Sequence, residues 1–146
     1  MKTLIINGGT IEDAFALDYI ERIKPDCILA ADRGMEFCYR NQIKPDVILG
    51  DYDSADKNIL EAFRQQSSIE WHQYQPEKDY TDSEIAIGKA MERNSSEIHI
   101  LGGTGTRLDH VLGNIQLLMQ PLAKDIPCFL IDSHNRIRLL KERAVL

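Results

Sequence analysis

The fold of this chain is decided by a stretch that occurs twice, IKPDCILA at residues 23–30 and IKPDVILG at residues 43–50. In each copy a proline ends the preceding helix, and the apolar run that follows predicts a buried strand. An aspartate, Asp32 or Asp51, comes just beyond the end of each predicted strand. The two copies therefore predict two βα units built alike, each presenting a carboxylate at the carboxyl end of its strand.

Short apolar runs alternate with longer segments of helical period along the whole chain, which predicts a mainly parallel sheet covered by helices. The predicted strands are residues 3–6, 27–31, 47–49, 69–72, 98–101 and 128–131, followed by a turn at 132–135 and a strand at 136–140. The predicted helices are residues 13–23, 35–41, 56–65, 82–93 and 110–122, with a capping box from Thr81 to Glu84. We expect an open α/β sheet with helices on both faces and a ligand cleft at the strand carboxyl ends.

Size and composition indicate one globular domain with a small-molecule partner. A chain of 146 residues with 43% hydrophobic residues can bury one core and is too short for two ordinary domains. The net charge of -6 disfavours nucleic acid and membrane partners, because both require a basic surface. No segment has the apolar length of a signal peptide or a membrane span, so we expect a cytoplasmic protein. Its cysteines, Cys27, Cys38 and Cys128, are expected to be buried, reduced thiols.

Four polar clusters each follow a predicted strand. They occupy residues 31–34, 50–54, 77–82 and 102–110. Loops at the carboxyl ends of parallel strands converge on one crevice. We therefore expect Asp32, Asp51, Asp79 and Arg107 to line a single cleft.

Carboxylates dominate the second and third clusters. Asp51 and Asp53 are separated by one residue, and Asp79 and Asp82 follow the next strand. Like charges at one point repel each other unless a cation lies between them, and a site of oxygen ligands favours Mg²⁺ over zinc. Taken singly, Asp53 or Ser54 is explained as a helix cap and Asp82 as a partner of its helix dipole. The group of four favours a metal site.

The glycine-rich residues 102–105 lie between a strand and a helix, where backbone amides can bind a phosphate. Arg107 offers a fork of donors to the same anion. The pattern matches neither the P-loop nor the dinucleotide fingerprint, and a flexible turn explains the glycines equally well. Lys78 and Arg33 are further candidate phosphate contacts, with a solvated surface charge as the alternative. His110 either orients a group in the site or packs at the start of its helix.

In the order and spacing of these elements, the chain resembles the thiamin pyrophosphokinase family. The family's Gly-Asp-x-Asp-Ser element matches residues 50–54, its Lys-Asp-x-Thr-Asp-x-Glu element matches residues 78–84, and its glycine-rich Arg-x-Asp-His element matches residues 102–110, with Asn114 downstream. Bacterial members also carry an Asp-Arg-Gly like residues 32–34 and an asparagine like Asn7. Thr106 stands where the family commonly has glycine.

The resemblance implies transfer of a pyrophosphoryl group from Mg-ATP to the hydroxyl of thiamin, with release of AMP. It implies that Asp51, Asp53 and Asp79 hold Mg²⁺. It further implies that these three act in catalysis with Asp82, Arg107 and Asp109. The residues expected to bind ATP are Asn7, Asp32, Arg33, Gly34, Ser54, Lys78, Thr81, Gly102, Gly103, Thr104, Gly105, His110 and Asn114.

Members of this family are homodimers in which a C-terminal β-sandwich completes the thiamin pocket. By that resemblance, we expect residues 1–135 to form the catalytic domain and residues 136–146 to be the truncated start of the second domain. Two alternatives stay open. A pyrophosphokinase for another hydroxymethyl heterocycle, such as a pterin, would share the metal-phosphate half of the site, and a nucleotide-binding module without catalysis would share the fold.

Overall fold

The computed structural model describes residues 1–52, 55–74 and 81–142. The strands are β1 (Lys2–Ile6), β2 (Cys27–Ala31), β3 (Val47–Gly50), β4 (Glu70–Gln73), β5 (Glu97–Leu101), β6 (Cys128–Ile131) and β7 (Arg136–Ile137). The helices are α1 (Asp13–Ile23), α2 (Gly34–Arg40), α3 (Lys57–Arg64), α4 (Asp82–Glu92), α5 (Leu108–Leu117) and α6 (Met119–Ala123).

The strands form one sheet in the order β4-β3-β2-β1-β5-β6-β7. Strands β1 to β6 are parallel, and β7 pairs antiparallel with β6. The predicted mainly parallel sheet is therefore confirmed. The chain builds outward from β1 to β4 and then crosses over to β5 on the other side of β1. In open α/β sheets this reversal point is where ligands bind.

Helices cover both faces of the sheet, as predicted. Alternate residues of the central strand face opposite layers: Leu4 and Ile6 pack with α1, α2 and α3, whereas Ile5 packs with α4 and the residues around α6. All three side chains are fully buried. A strand covered on both faces has to be apolar throughout, which explains the uninterrupted apolar runs in the sequence.

The duplicated stretch has the same structural role in both copies. The carboxylate of Asp26 accepts a hydrogen bond from the backbone N–H of Lys2 at 2.8 Å, and that of Asp46 accepts one from Ile28 at 2.8 Å. The backbone N–H of each aspartate donates in return to the carbonyl of the same partner residue. Each Pro-Asp thus ties the start of its own strand to the neighbouring strand, and the registers of β1, β2 and β3 follow from these contacts.

One predicted helix is wrong. Residues 110–122 form two helices, α5 and α6, that are separated at Leu118. Pro121 has no N–H to donate to the carbonyl of Leu117, so the helix cannot continue through this turn. The last strand is also shorter than predicted and consists of Arg136–Ile137 only. The other predicted elements agree with the structure to within one residue at each end.

Cys27, Cys38 and Cys128 are buried and form no disulfide, as predicted. Burial raises the pKa of the Cys38 thiol to about 12, and it does the same for Cys128. These thiols therefore stay protonated at neutral pH. In the described part of the chain, no helix has the length and apolar character needed to cross a membrane.

Two glycines provide a test of the packing between α2 and β1. A Cβ atom at Gly34 would overlap the carbonyl oxygen of Ile6, whereas one at Gly88 in α4 would meet no described atom within 4 Å. We expect Gly34→Ala to lower the free energy of unfolding by about 1–3 kcal/mol or more, because α2 has to move away from β1. Gly88→Ala, the matched control, should raise it by up to about 1 kcal/mol. Denaturant unfolding measures both, and a Gly34→Ala protein as stable as the parent would contradict this packing.

Candidate functional site

A cleft of about 570 Å³ lies at the carboxyl ends of β1, β2 and β5, where the strand order reverses. The loops after these strands, the first turn of α4 and one face of α5 form its walls. The lining residues are Asn7, Gly8, Gly9, Ala31, Asp32, Thr81, Asp82, Ser83, Glu84, Gly102, Thr106, Asp109, His110, Gly113, Asn114 and Leu117. The cleft lies where the strand-end rule places it.

Many of the residues singled out from the sequence line this cleft together. They are Asn7, Asp32, Thr81, Asp82, Gly102, Asp109, His110 and Asn114. His110 is exposed and lines the cleft, which favours a role in the site over packing at the start of its helix. Asp53, Ser54, Lys78 and Asp79 lie outside the described residues.

Other predicted site residues lie beside the cleft. Within the described ranges, Arg107 is not part of its lining: the side chain is 75% exposed and donates from Nη2 to Oδ2 of Asp109 at 2.8 Å. Arg33 lines a neighbouring cavity. Gly34 is buried at the start of α2 and packs against β1. Arg107 thus contacts Asp109, which is one of the residues that line the cleft.

Carboxylates crowd one end of the cleft. Burial raises the pKa of Asp32 most, and the nearby charge of Asp82 raises it further. The backbone N–H and the charge of Arg33 lower this pKa in part, and Asp51, which is not part of the cleft lining, adds a smaller increase. Asp32 also has a φ of 54°, a left-handed conformation that aspartate adopts more readily than most residues other than glycine. A group of like charges held in this way is stabilised by a bound cation.

The donor atoms in this group fit Mg²⁺, which prefers carboxylate oxygens and water. Among residues 1–52, 55–74 and 81–142, no three acidic, histidine or cysteine side chains are close enough to hold a metal ion by themselves. Asp51 is described, whereas the other two predicted ligands, Asp53 and Asp79, are not. The assignment of these three residues to the metal stays a prediction.

Side chains from two other elements hold the glycine-rich loop after β5. Nδ2 of Asn114 on α5 donates to the carbonyl of Gly103 at 2.9 Å. The hydroxyl of Thr104, which is buried, donates to Oδ2 of Asp132 at 2.6 Å. The contacts of Asn114 and Thr104 therefore shape the loop before any ligand binds.

The loop after β1 packs directly on this glycine-rich loop. The backbone N–H of Gly9 donates to the carbonyl of Gly102 at 2.8 Å, and the hydroxyl of Thr10 donates to the carbonyl of Gly105 at 2.9 Å. Cβ atoms at Gly9 and Gly102 would overlap neighbouring carbonyl oxygens, and Gly102 has a φ of 78°. Only glycine allows the two backbones to come this close.

Asn7 connects three elements at the reversal point. Its backbone N–H donates to the carbonyl of Leu101 on β5 at 2.8 Å, and its Nδ2 donates to the hydroxyl of Ser83 on α4 at 3.0 Å. Oδ1 of Asn7 is buried and has no hydrogen-bond partner among the described residues. Asn7 thus orients α4 relative to the two central strands.

The first turn of α4 points its N-terminus at the cleft. The hydroxyl of Thr81 accepts a hydrogen bond from the backbone N–H of Glu84 at 3.1 Å, which is one of the two hydrogen bonds of the predicted capping box. Oε1 of Glu84 accepts a hydrogen bond from Nε2 of Gln120 at 2.9 Å, so this carboxylate also joins α4 to α6. Asp82 and Glu84 make this turn acidic.

Some lining residues were not singled out from the sequence. Gly8 and Gly9 lie in the loop after β1, so the strand-end rule that found the four polar clusters also applies to them. Ser83 could have been found from its place in the first turn of a capped helix. No sequence pattern marks Gly113 as a site residue, because it lies inside α5 and faces the cleft only as a result of how that helix is oriented.

Comparisons with known proteins agree with this geometry. Residues 22–130 match the family model of the thiamin pyrophosphokinase catalytic domain. The chain is 36% identical over 111 residues to thiamine pyrophosphokinase of Bacillus subtilis, an alignment that covers 76% of this chain and 51% of that protein. A curated thiamine pyrophosphokinase 2 of Arabidopsis thaliana is 33% identical over 92 residues, covering 56% of this chain and 33% of that protein.

Solved structures show the same fold. The crystal structure of thiamine pyrophosphokinase from Bacillus subtilis superposes with a TM-score of 0.75 at 31% identity, over 91% of this chain and 61% of that one. The structure of thiamin pyrophosphokinase from Geobacillus thermodenitrificans superposes with a TM-score of 0.72 at 28% identity, over 90% and 60%.

The chain spans 51% or less of the length of these curated relatives. The family match runs from residue 22 to residue 130, so it includes β2, β5 and the cleft-lining loops after them, whereas β1 and the loop after it precede the matched range. This protein belongs to the family of thiamin pyrophosphokinase catalytic domains.

Proposed function

We propose that this chain acts as a cytoplasmic thiamin pyrophosphokinase, which transfers a pyrophosphoryl group from Mg-ATP to thiamin. The thiamin hydroxyl oxygen forms a bond to the β-phosphorus. The bond from the β-phosphorus to the oxygen shared with the α-phosphate breaks, AMP leaves with that oxygen, and the hydroxyl proton is released. The observation that carries the proposal is the grouping of Asp32 and Asp82 in the cleft, with Asp51 nearby, beside the glycine loop at the reversal point of the sheet.

In this proposal Asp51, Asp53 and Asp79 hold Mg²⁺, and Asp82 lies beside them. The pKa of Asp32 is raised first by burial and then by the charge of Asp82, and a carboxylate held in this environment supports a cation in this place. When bound, Mg²⁺ would neutralise phosphate charge and orient the phosphates. Asp109 would then hold Arg107 at the rim of the cleft, where its remaining guanidinium donors can bind phosphate oxygens in pairs.

The glycine loop supplies positioning in this proposal. Its shape is held by Asn114 and Thr104 and by its contact with the loop after β1. Phosphoryl transfer depends mainly on alignment and charge stabilisation rather than on a protein nucleophile. A loop that is ordered before the ligand arrives lowers the entropic cost of that alignment.

An exposed apolar stripe supports the homodimer that we also propose. Every residue of α5 is at least partly exposed, and the side chains of Leu108 and Leu112 are 71% and 57% exposed. Apolar side chains one turn apart on a helix form a continuous surface, which in soluble proteins commonly marks an interface. The second copy of the chain is the proposed occupant.

The products of the reaction test the proposed function. We expect incubation with Mg-ATP and thiamin to give AMP and thiamin diphosphate in equal amounts, and no AMP without an acceptor. Chromatography that separates AMP from ADP measures this. Formation of ADP would contradict pyrophosphoryl transfer, and AMP released with a hydroxymethyl pterin but not with thiamin would identify the alternative substrate.

The metal assignment is tested by Asp51→Asn. We expect this variant to bind Mg-ATP about 10-fold to 100-fold more weakly, because a carboxylate that holds or orients the cation is lost. Its affinity for ATP in the presence of EDTA should change little. Asp18→Asn, which removes an exposed carboxylate paired with Arg22 on α1, is the control and should behave like the parent. Equal Mg-ATP binding by all three proteins in calorimetry would refute the assignment.

The raised pKa of Asp32 makes the stability of the ligand-free protein depend on pH. Because the folded-state pKa of Asp32 is raised, folding favours its protonated form, and the free energy of unfolding falls as pH rises from 3.8, its ordinary pKa, through the folded value. We expect Asp32→Asn to be more stable than the parent at pH 7 by about 0.2–1 kcal/mol, the range of partly exposed charge pairs. The gain should vanish below the ordinary pKa.

Asp13→Asn provides a control of opposite sign for this experiment. The hydrogen bond from Arg40 lowers the pKa of Asp13, so its contribution to stability is present at neutral pH and is lost as pH falls through the folded pKa. We expect Asp13→Asn to be less stable than the parent at pH 7. Denaturant unfolding across the pH range measures both variants, and a loss of stability in Asp32→Asn at pH 7 would contradict the electrostatic crowding.

A further inference from the structure

A second cavity, of about 400 Å³, lies on the α2 side of the loop that follows β1. We call it the side cavity. It shares Asn7, Gly8, Gly9 and Thr106 with the cleft, so the two spaces are neighbours along a ridge made by these residues. Gly8 and Gly9 carry no side chains that would block a ligand from crossing this ridge.

Charged side chains are divided unequally between the two spaces. Within the described parts of the chain, the cleft is lined by four carboxylates, those of Asp32, Asp82, Glu84 and Asp109, and by His110, but by no lysine or arginine. The side cavity is lined by two guanidinium groups, those of Arg33 and Arg40, and by the carboxylate of Glu36. An anionic group that extends from the cleft across the ridge therefore moves away from the carboxylates of the cleft and comes close to the arginines of the side cavity.

Arg40 is oriented in advance by an ion pair with α1. Its Nε donates to Oδ2 of Asp13 at 2.8 Å, and its Nη2 donates to Oδ1 at 2.7 Å. The guanidinium also lies over the ring of Phe37, with Cζ 5.4 Å from the ring centroid. Asp13 uses two of the five N–H groups, which leaves three for another acceptor. The side chain is 48% exposed, so those groups are accessible to a ligand.

Arg33 is held more loosely. Its Nε and Nη2 lie 3.4 Å and 3.3 Å from the two carboxylate oxygens of Glu36, and 63% of the side chain is exposed. Exposed ion pairs with long contacts contribute little to stability. A phosphate group carries more charge than a carboxylate and can accept paired hydrogen bonds, so it can displace Glu36 from Arg33.

We propose that the side cavity is a second anion subsite, in which Arg33 and Arg40 bind a phosphate group of a ligand whose remainder occupies the cleft. The proposal deepens the proposed function and rests on it for the identity of that ligand. The phosphate belongs either to the nucleotide or to the diphosphate product. Both sources present the same chemistry, which is a set of phosphate oxygens that accept hydrogen bonds from guanidinium groups.

Two variants separate a ligand-binding role of Arg40 from a structural one. Arg40→Gln and Asp13→Asn break the same ion pair between α1 and α2, so a structural role predicts similar effects for both. In the subsite, Arg40→Gln should weaken binding at least about tenfold, because a charge-assisted contact is lost. Asp13→Asn should bind as tightly as the parent or more tightly, because Arg40 keeps its positive charge and is no longer neutralised by the carboxylate of Asp13.

The measurement is titration calorimetry on the whole chain with Mg²⁺ and four probes, which are ATP, AMP, inorganic pyrophosphate and thiamin diphosphate. A loss with ATP and AMP that spares pyrophosphate and thiamin diphosphate assigns the phosphate to the α-phosphate of the nucleotide. A loss with ATP, pyrophosphate and thiamin diphosphate that spares AMP assigns it to the pyrophosphoryl group that passes from nucleotide to product. Arg22→Gln removes an exposed arginine paired with Asp18 on α1 and should bind all probes like the parent.

Three results would overturn the subsite: parent-like binding of every probe by Arg40→Gln, equal losses in Arg40→Gln and Asp13→Asn, or binding of none of the four probes by the parent. Failure of the proposed function is distinguishable from these results. If the proposed function is wrong, the parent chain binds nucleotide but releases no AMP that depends on thiamin. The subsite is still tested in that case, because Arg40→Gln and Asp13→Asn are compared by their binding affinities alone.

Discussion

The direct contact between the backbones of the loops after β1 and β5 is the constraint on which the rest of the site depends. Gly9 donates to the carbonyl of Gly102, and side chains at either position would overlap neighbouring carbonyl oxygens. This contact lies at the point where the strand order reverses, so it forms the floor of the cleft. The hydrogen bond from Asn7 to Ser83 then orients α4, and the hydrogen bond from Asn114 to Gly103 ties α5 to the same floor.

The electrostatic character of the site follows from which layer of the fold supplies each side chain. Carboxylates reach the cleft from the ends of the central strands and from the first turns of α4 and α5. Arginines reach the side cavity from the start and the end of α2, on the opposite face of the sheet. The ridge at Gly8 and Gly9 separates the two environments. If a cation and a phosphate chain bind together, the cation would lie with the carboxylates on the cleft side of this ridge, and a phosphate would lie with the arginines on the other side.

Local patterns in the sequence predicted much of this architecture, because the signals involved act over a few residues. A proline followed by an apolar run marks the starts of β2 and β3, and the aspartate between them ties each strand to its neighbour. The capping residue Thr81 predicts the first turn of α4. The rule that proline interrupts a helix also explains the break before α6, since Pro121 lacks the N–H donor that a continuous helix would need.

The sequence by itself determined the order of strands and helices, the loops that reach the carboxyl edge of the sheet, and the acidic and glycine-rich character of those loops. Only the tertiary structure decided which side chains meet there. Asn7 and Ser83 are 76 residues apart, Thr104 and Asp132 are 28 apart, and Asp13 and Arg40 are 27 apart. Residue periodicity tells which face of its own element a side chain occupies. Contacts between distant residues depend instead on how whole layers pack, and that packing places Arg107 outside the cleft lining and Arg40 beside it.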